Sequence, residues 1–500
     1  MRYWLTIVLG LALFPQPVLA NWHRAQSEHF IVYGNNSEKS LRNFAIKLEH
    51  FDQILRFVTQ ITDADPGNPL TVVAIDSEPQ MRRLCHSQNA AGCYQTRLWG
   101  DIAYVQGSAS NSGHEFGVTG QDVLFHEYTH HFMFHNFPQA YPPWYTEGFA
   151  ELFAPTELRD NGQVNLGVVP QYRAWGIIET GYALQKMLTG MPDNMSQSDG
   201  NAYYGKAWLL AHYLMFESSR KDQLSRYLKL FSQGTPSLGA AQTAFGDLTI
   251  LDHELQVYAR GAIRYKIFKD FKFEDKPVTV TELSASESAA MPLTVRMWNG
   301  SRPDDIQPFL DDATALVSKY PDEPMAQSAA AEGNLDAKHF EQARHYNDMI
   351  LATHPNFQGA LLRRARIAQA ELANDHDPQK WLAVRKLAIE ANHATPNDPY
   401  SLMVYYETYR AGGTAVPDIA IKGLERALEL SPQSTEIRIS LAQEYLRLSK
   451  KAELDQVTAP MVNDPHDAFT RGIATALRAA PLGSYLKEIK FDVPSIKTKP

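Results

Sequence analysis

The chain has 500 residues, of which 44% are apolar and 21% are charged, and its formal net charge is −9. This length exceeds what one typical hydrophobic core supports, so we expect two or three domains. The negative charge and the lack of a basic patch argue against a nucleic-acid partner, because phosphate binding needs a concentrated positive surface.

The first segment, residues 1–20, is predicted to be a secretory signal peptide. Arg2 precedes an apolar run, which is followed by prolines and by Val18-Leu19-Ala20, so cleavage is expected after Ala20. The alternative is a membrane anchor, but the apolar run is shorter than the roughly 20 residues that span a bilayer. We therefore expect a mature chain without a membrane span, located in the periplasm or secreted.

Residues 21–270 are predicted to form one α+β domain, because strand signals come first and helix signals follow. Alternating or buried apolar runs predict the strands, and apolar residues at helical spacing predict the helices. The predicted strands are 29–34, 69–75 and 101–107, and the predicted helices are 37–60, 121–137, 143–154, 168–189, 201–218 and 221–232.

The chain contains two cysteines, Cys85 and Cys93. An exported protein folds in an oxidising compartment, so a disulfide across this short segment is expected. Two unpaired thiols are the alternative, because spacing alone does not prove pairing. A zinc site is less expected here, since only His86 lies close by and a closed site needs four ligands.

The predicted helix over 121–137 contains the letters HEYTH, an HExxH motif that begins at His126. His126 and His130 lie on one face of a helix, where two imidazoles can reach one zinc ion at the roughly 2.0–2.1 Å of a Zn–N bond. Glu127 is rotated away from that face, where a carboxylate can take a proton from a zinc-bound water. The alternative is a pair of buried histidines that hydrogen bonds satisfy.

A catalytic zinc needs a third protein ligand and an open position. The stretch PPWYTEGFAELF, which begins at Pro142, predicts a second helix with Glu147 and Glu151 on one face. The chain after His130 is long enough to turn and return antiparallel, so Glu147 can complete the set with His126 and His130. Glu151 can hydrogen-bond the far nitrogen of a ligand histidine and fix its tautomer. A solvated helix face is the alternative for the two glutamates.

The HExxH motif and the following W-x-x-E-G-x-A element resemble the gluzincin zinc metallopeptidases, especially the peptidase-MA-like group and its aminopeptidase relatives. The resemblance covers about residues 25–265. It implies a zincin-like α+β fold, one Zn2+ ion per chain and a third zinc ligand at Glu147. It also implies a tyrosine that stabilises the oxyanion; Tyr204 matches best, but Tyr203 beside it blurs the register, and a packing role is the alternative. A GxMEN-type element is missing, so aminopeptidase specificity is not implied.

Two further predictions concern the surroundings of this site. In the related fold, the strand before the active-site helix pairs with substrate backbone; residues 103–107 are the candidate, and a plain sheet strand is the alternative. His131 and His135 share a face that is rotated away from His126 and His130, so we expect them to be packing or surface residues.

Residues 271–290 have mixed polarity and little helical periodicity, so we predict a linker there. Residues 291–482 are predicted to be an all-α repeat domain, followed by a tail over 483–500. The period is near 34, because prolines recur at intervals of 34, 41, 36 and 33 residues. These prolines are Pro321, Pro355, Pro396, Pro432 and Pro465.

The repeat pattern resembles the tetratricopeptide repeat, with small residues at Ala343, Ala420 and Ala442 and an aromatic residue at Tyr445. A stack of this kind implies a concave surface that binds a peptide or a protein partner. A generic helical bundle with chance prolines is the alternative.

Together these patterns predict an exported zinc-dependent metallopeptidase followed by a TPR-like helical solenoid. Zinc is expected at His126, His130 and Glu147, with Glu127 as general base and Tyr204 at the oxyanion. An alternative from another class is a periplasmic envelope assembly or chaperone factor with a weak, latent or structural zinc site. A non-proteolytic zinc hydrolase is a third reading of the same ligand spacing.

Overall fold

The computed structural model describes residues 21–485, apart from 63–67, 86–91, 107–116, 138, 160, 179–181, 193–194, 301, 374 and 465–466. The chain is predominantly helical, with an α+β region followed by an array of helices. The predicted order of an α+β region and an all-α array is thereby confirmed. The predicted signal peptide lies outside the described residues, and among those residues no helix is long and apolar enough to cross a membrane.

Nine strands form two sheets in the described part of the chain. The strands are β1 (His23–Gln26), β2 (Phe30–Gly34), β3 (Leu70–Ile75), β4 (Gly92–Gln95), β5 (Ile102–Gln106), β6 (Glu157–Leu158), β7 (Val164–Leu166), β8 (Lys266–Phe268) and β9 (Thr279–Glu282).

The main sheet has six strands in the order β4-β5-β3-β2-β1-β9. Strands β2, β3 and β5 are parallel, whereas β4 pairs antiparallel with β5 and β1 pairs antiparallel with β2 and β9. All six residues of β3 are buried, as expected for a central strand covered on both faces. The second sheet is a three-stranded antiparallel one in the order β6-β7-β8.

Among the described residues up to Arg260, ten helices accompany the sheets. One continuous core joins the main sheet to α1, α3, α4 and α7 of this set. Phe51 of the first helix stacks on Phe125 of the third, with ring centroids 3.8 Å apart. The helices are α1 (Glu38–Thr59), α2 (Glu78–Cys85), α3 (Gly120–Asn136), α4 (Pro143–Phe153), α5 (Ala174–Ile178), α6 (Leu184–Thr189), α7 (Gln197–Phe216), α8 (Gln223–Ser232), α9 (Ser237–Phe245) and α10 (Leu248–Arg260).

The rest of the described chain forms a helical array in which successive helices pack on one another. The first helices of successive pairs begin at Ile306, Phe340, Pro378, Asp418 and Lys451, at intervals of 34, 38, 40 and 33 residues. The helices are α11 (Ala285–Asn299), α12 (Ile306–Lys319), α13 (Pro324–Asp336), α14 (Phe340–Thr353), α15 (Gln358–Glu371), α16 (Pro378–Ala394), α17 (Pro399–Ala411), α18 (Asp418–Leu430), α19 (Thr435–Arg447), α20 (Lys451–Val462) and α21 (Ala468–Ala479).

The prediction of a linker over 271–290 is wrong in part. Strand β9 lies inside this segment and pairs with β1, with Ala25 opposite Val280, and α11 begins before the segment ends. An isolated strand of four residues has too short an alternation to stand out, and its partner β1 lies far away in the sequence.

Two predictions about single elements are also corrected. The expected helix over 168–189 is divided into a 3-10 turn at Gln171–Arg173 and the short helices α5 and α6, because an apolar spacing can continue across a break. Strand β5, which contains most of 103–107, pairs with β3 on one side and β4 on the other. It therefore has no free edge for a substrate, and the plain-strand alternative holds.

Candidate metal centre

Helix α3 carries the two histidines of the HExxH motif. A capping box fixes its first turn: the Thr119 hydroxyl accepts from the Asp122 amide at 3.1 Å, and the Asp122 carboxylate accepts from the Thr119 amide at 2.9 Å. Phe125 packs into the core, which leaves His126 and His130 on another face of the helix. Their Nε2 atoms lie 3.0 Å apart.

Helix α4 carries Glu147 and Glu151, which are 0% and 1% exposed. Gly148 lies between them, and a Cβ atom there would be 2.4 Å from the carbonyl oxygen of Ala207 in α7. Glycine therefore permits a backbone approach that any larger residue would prevent. This close packing of α4 on α7 buries the face that carries the two carboxylates.

The structure brings the three predicted ligands together. Glu147 Oε2 lies 3.5 Å from His126 Nε2 and 3.6 Å from His130 Nε2. With bonds of about 2.0–2.1 Å, the ligand atoms of a tetrahedral zinc ion are about 3.3–3.4 Å apart. The three separations run from 3.0 Å between the nitrogens to 3.6 Å, so they lie on either side of this edge length and are close to it. We call these three residues the candidate metal centre.

The surroundings of the candidate metal centre favour a cation. Burial opposes charge on His126, but its hydrogen bond to Glu147 and the negative charges of Glu151 and Glu127 outweigh burial and raise the pKa of His126. Glu151 Oε1 lies 3.7 Å from the far nitrogen of His126, on the predicted side but beyond hydrogen-bond distance.

Arg173 is a site residue that the sequence did not reveal. Its Nη2 and Nε atoms donate to Glu151 Oε1 at 2.7 and 3.0 Å, so it holds the carboxylate that faces His126. Its guanidinium also lies over the Tyr204 ring, 4.6 Å from the centroid. The only sequence signal is a single basic residue in an apolar stretch, and that stretch was expected to be one long helix.

The two candidate tyrosines occupy different environments on α7. Tyr203 is fully buried, whereas Tyr204 is half-buried. Burial and then the charge of Glu147 raise the pKa of both phenols, and Tyr204 also experiences the charges of Glu151 and Glu127. Tyr204 is thus the phenol whose pKa all three carboxylates raise, and this raised pKa keeps its hydroxyl protonated.

Glu127 is half-buried on α3 and follows His126 directly in the sequence. Its charge contributes to the raised pKa of His126 and of Tyr204, which places its carboxylate within electrostatic reach of both groups. The role of Glu127 as a base beside the candidate metal centre stays a prediction.

His131 and His135 do not take part in this group. His131 Nδ1 lies 3.0 Å from Asp101 Oδ2 and 3.2 Å from the Tyr94 hydroxyl, so it packs against β4 and β5. Its ring stacks with that of His135 at a centroid distance of 6.0 Å. Both histidines lie on the side of α3 where packing was expected.

A second group with potential metal ligands lies between α1 and α3. His29 Nδ1 lies 2.8 Å from Glu49 Oε2, while Arg56 Nε and the Tyr128 hydroxyl both donate to Asp52 at 2.7 Å. These groups satisfy one another without an ion. We therefore assign the cluster a structural role.

The disulfide between Cys85 and Cys93 joins the end of α2 to the edge strand β4. The pairing expected from the sequence is thus present in the structure. The bond closes a short loop and ties the strand nearest to α3 to the rest of the sheet.

Comparisons with known proteins add two findings. The profile of a family described as "Protein of unknown function (DUF1570)" matches residues 123–237, which include the candidate metal centre and Tyr204. No curated protein matches the chain. Among solved structures, the chain is similar to a thermophilic TPR protein of Thermus thermophilus, with 19% identity, a TM-score of 0.33, and coverage of 39% of this chain and 98% of that one.

Proposed function

We propose that this protein is a zinc-dependent metallopeptidase of the gluzincin type. The observation that carries the proposal is the convergence of His126 Nε2, His130 Nε2 and Glu147 Oε2 within 3.0–3.6 Å of one another. A helix that buries two histidines opposite a fully buried carboxylate is costly unless the charges are compensated. A divalent cation provides that compensation.

His126, His130 and Glu147 would hold the ion and leave one tetrahedral position open. Zinc bound there acts as a Lewis acid and lowers the pKa of water towards about 7. The residues of the chain supply the remaining functions. Glu127 accepts the proton of the attacking water and later donates it to the leaving amine.

The other residues of the site support this proton transfer. Tyr204 donates its hydroxyl to the oxyanion that develops on the substrate carbonyl. Glu151 faces the far side of His126, and Arg173 fixes Glu151 through two hydrogen bonds. An extended peptide would pair with the outer edge of β4, which no described strand covers, since β5 is paired on both sides.

The finer predictions belong to the same proposal. The α+β region would be a zincin-like domain, and the helical array would be of the TPR type with a peptide or protein partner. Residues 1–20 would direct export to the periplasm or beyond the cell. A role in envelope assembly, with a latent zinc site, is the competing function.

The test compares metal content and hydrolysis in the mature chain and two variants. The wild type should hold one zinc ion, and Glu147→Ala should lose most of it. Glu127→Gln should keep zinc but cleave a peptide library roughly 10²–10⁴-fold more slowly. Zinc that persists in Glu147→Ala would refute the ligand set. Zinc binding without hydrolysis in the wild type would favour the assembly role.

A further inference from the structure

A groove lies where the helical array meets the last turn of α3, at His135. It encloses about 420 Å³ between α18, α19 and α20. We call it the repeat groove. Its acidic lining residues are Glu425, Glu429 and Glu453, and its apolar ones include Leu428, Leu441 and Val457.

Two carboxylates of the repeat groove lack a cationic partner within the described part of the chain. The Tyr445 hydroxyl donates to Glu425 at 3.0 Å. Burial, this hydrogen bond and then the charges of Glu425 and Glu453 raise the pKa of Tyr445. Glu429 differs, because it forms an exposed ion pair with Arg426 at 2.9 Å. Lys450 Nζ lies over the Tyr445 ring, 5.7 Å from its centroid, but it forms no ion pair with Glu425 or Glu453. Two carboxylates thus flank one phenol.

Arg438 is the guanidinium among the described residues that line the repeat groove, and it forms no ion pair with these carboxylates. Arg438 is 5% exposed, and it donates to the carbonyl oxygens of Pro432 and Val457 rather than to a carboxylate. The groove therefore combines an apolar floor with two carboxylates that form no ion pair with another described residue. This combination complements a side chain that is long, partly apolar and positively charged.

We propose that the repeat groove binds a protein segment in which lysine or arginine side chains alternate with apolar ones. The apolar side chains contact Leu428 and Leu441, and the cationic group lies between Glu425 and Glu453. Because His135 belongs to α3, a segment held here is anchored beside the helix that carries the candidate metal centre. The binding goes beyond the proposed peptidase activity and requires no metal.

The experiment measures fluorescence anisotropy of a labelled peptide of roughly 12 residues in which leucine and lysine alternate. The protein is the mature chain with Glu127→Gln, so that the peptide is not cleaved. We expect saturable binding that weakens with added salt. The double variant Glu425→Gln/Glu453→Gln should bind roughly tenfold more weakly.

A matched control removes two carboxylates elsewhere on the array. Glu341 and Asp348 are exposed on α14, and Glu341→Gln/Asp348→Asn changes the net charge equally. This control should bind like the parent. If the control loses as much affinity, the effect comes from the overall charge of the protein and not from the repeat groove. If a leucine–glutamate peptide binds equally well, the repeat groove does not prefer cationic segments.

Two further arms separate the outcomes. Binding should persist in the Glu147→Ala variant, so a failure of the proposed zinc site leaves this result intact. Residues 486–500 contain four lysines, Lys487, Lys490, Lys497 and Lys499. If the peptide binds only after this segment is deleted, the groove holds the chain's own tail and the proposed partner is wrong.

Discussion

Gly148 determines how closely α4 approaches α7, and thereby where Glu147 lies. We expect Gly148→Ala to force the two helices apart, because the new methyl group would sit 2.4 Å from the Ala207 carbonyl oxygen. Such overpacking costs about 1–3 kcal/mol of unfolding free energy. Thermal unfolding and zinc content should both fall, since the carboxylate moves with its helix.

The matched control is Gly200→Ala in the first turn of α7, where an added Cβ meets nothing within 4 Å. This variant should be as stable as the wild type or more stable by up to about 1 kcal/mol, because alanine restricts the unfolded chain. Equal melting temperatures and zinc contents of Gly148→Ala and Gly200→Ala would show that α4 and α7 are not closely packed at Gly148.

Arg173 should affect zinc affinity without contacting the ion. Arg173→Met removes both hydrogen bonds to Glu151, so the carboxylate facing His126 is no longer fixed. We expect the zinc affinity to fall roughly 10–100-fold in competition with a chelator. The control Arg159→Met removes an exposed pair with Glu157 and should leave zinc affinity unchanged.

At the residue scale, the sequence was informative where the chemistry repeats with the period of a helix. His126 and His130 share a face by spacing alone, and the structure places Glu147 opposite them. Arg173 escaped detection because its partner Glu151 lies on another element. No periodicity within one element encodes such a contact.

At the scale of elements, the cluster at His29 joins the start of β2 to α1 and through Tyr128 to α3. Burial opposes charge on His29, but Glu49 and Asp52 outweigh it and raise the pKa of His29 above 6.5. Burial also opposes charge on Glu49, yet its bonds to His29 lower the pKa of Glu49 below 4.5. The pair of His29 and Glu49 therefore stabilises the fold most between pH 4.5 and pH 6.5.

The direction of the pH dependence follows from the linkage between protonation and folding. The contribution of a raised histidine pKa is complete below the unfolded value of about 6.5 and is lost as the pH rises through the folded value. The melting temperature of the wild type should thus exceed that of His29→Gln by more at about pH 6 than at about pH 8. A gap that does not depend on pH would contradict the pairing.

His50 lies on α1 beside Glu49, and it provides a control because its pKa shifts in the opposite direction. Burial lowers the pKa of His50, so its protonation destabilises the folded state as the pH falls. The advantage of the wild type over His50→Gln should therefore grow with rising pH. The two variants together separate the His29 pair from any general pH dependence of the protein.

Elements with long, regular apolar patterns were predictable, and short or interrupted ones were not. The expected helices at 37–60, 121–137 and 143–154 agree with α1, α3 and α4 to within a residue or two of their ends. Strand β9 and the break between α5 and α6 were missed. Both depend on packing partners that lie elsewhere in the chain.

At the scale of the whole molecule, a buried carboxylate connects the helical array to α3, the helix that carries His126 and His130. Asp101 directly precedes β5. Its carboxylate accepts hydrogen bonds from the Tyr94 hydroxyl, the side-chain amide of Gln433 and the ring of His131. Gln433 lies in the connection between α18 and α19, 332 residues from Asp101. A contact over this separation leaves no local sequence signal.

Because His131 lies on α3 directly after His130, the Asp101 network lets the array stabilise this helix. We expect Gln433→Ala and Asp101→Asn to be coupled in a double-mutant cycle of unfolding free energies, by about 1.5–3 kcal/mol for a buried hydrogen bond to a carboxylate. The cycle subtracts the loss of the Tyr94 and His131 contacts. Denaturant midpoints of the four proteins provide the measurement.

A control cycle pairs Gln433→Ala with Ser40→Ala, an exposed position on α1 far from the network. Those two effects should add to within about 0.5 kcal/mol. If the changes in unfolding free energy also add in the Asp101 cycle, the contact between Gln433 and Asp101 does not couple the stability of the array to that of the α+β region. Coupling confined to the Asp101 cycle would show that the contact between Gln433 and Asp101 links the stability of the array to that of α3.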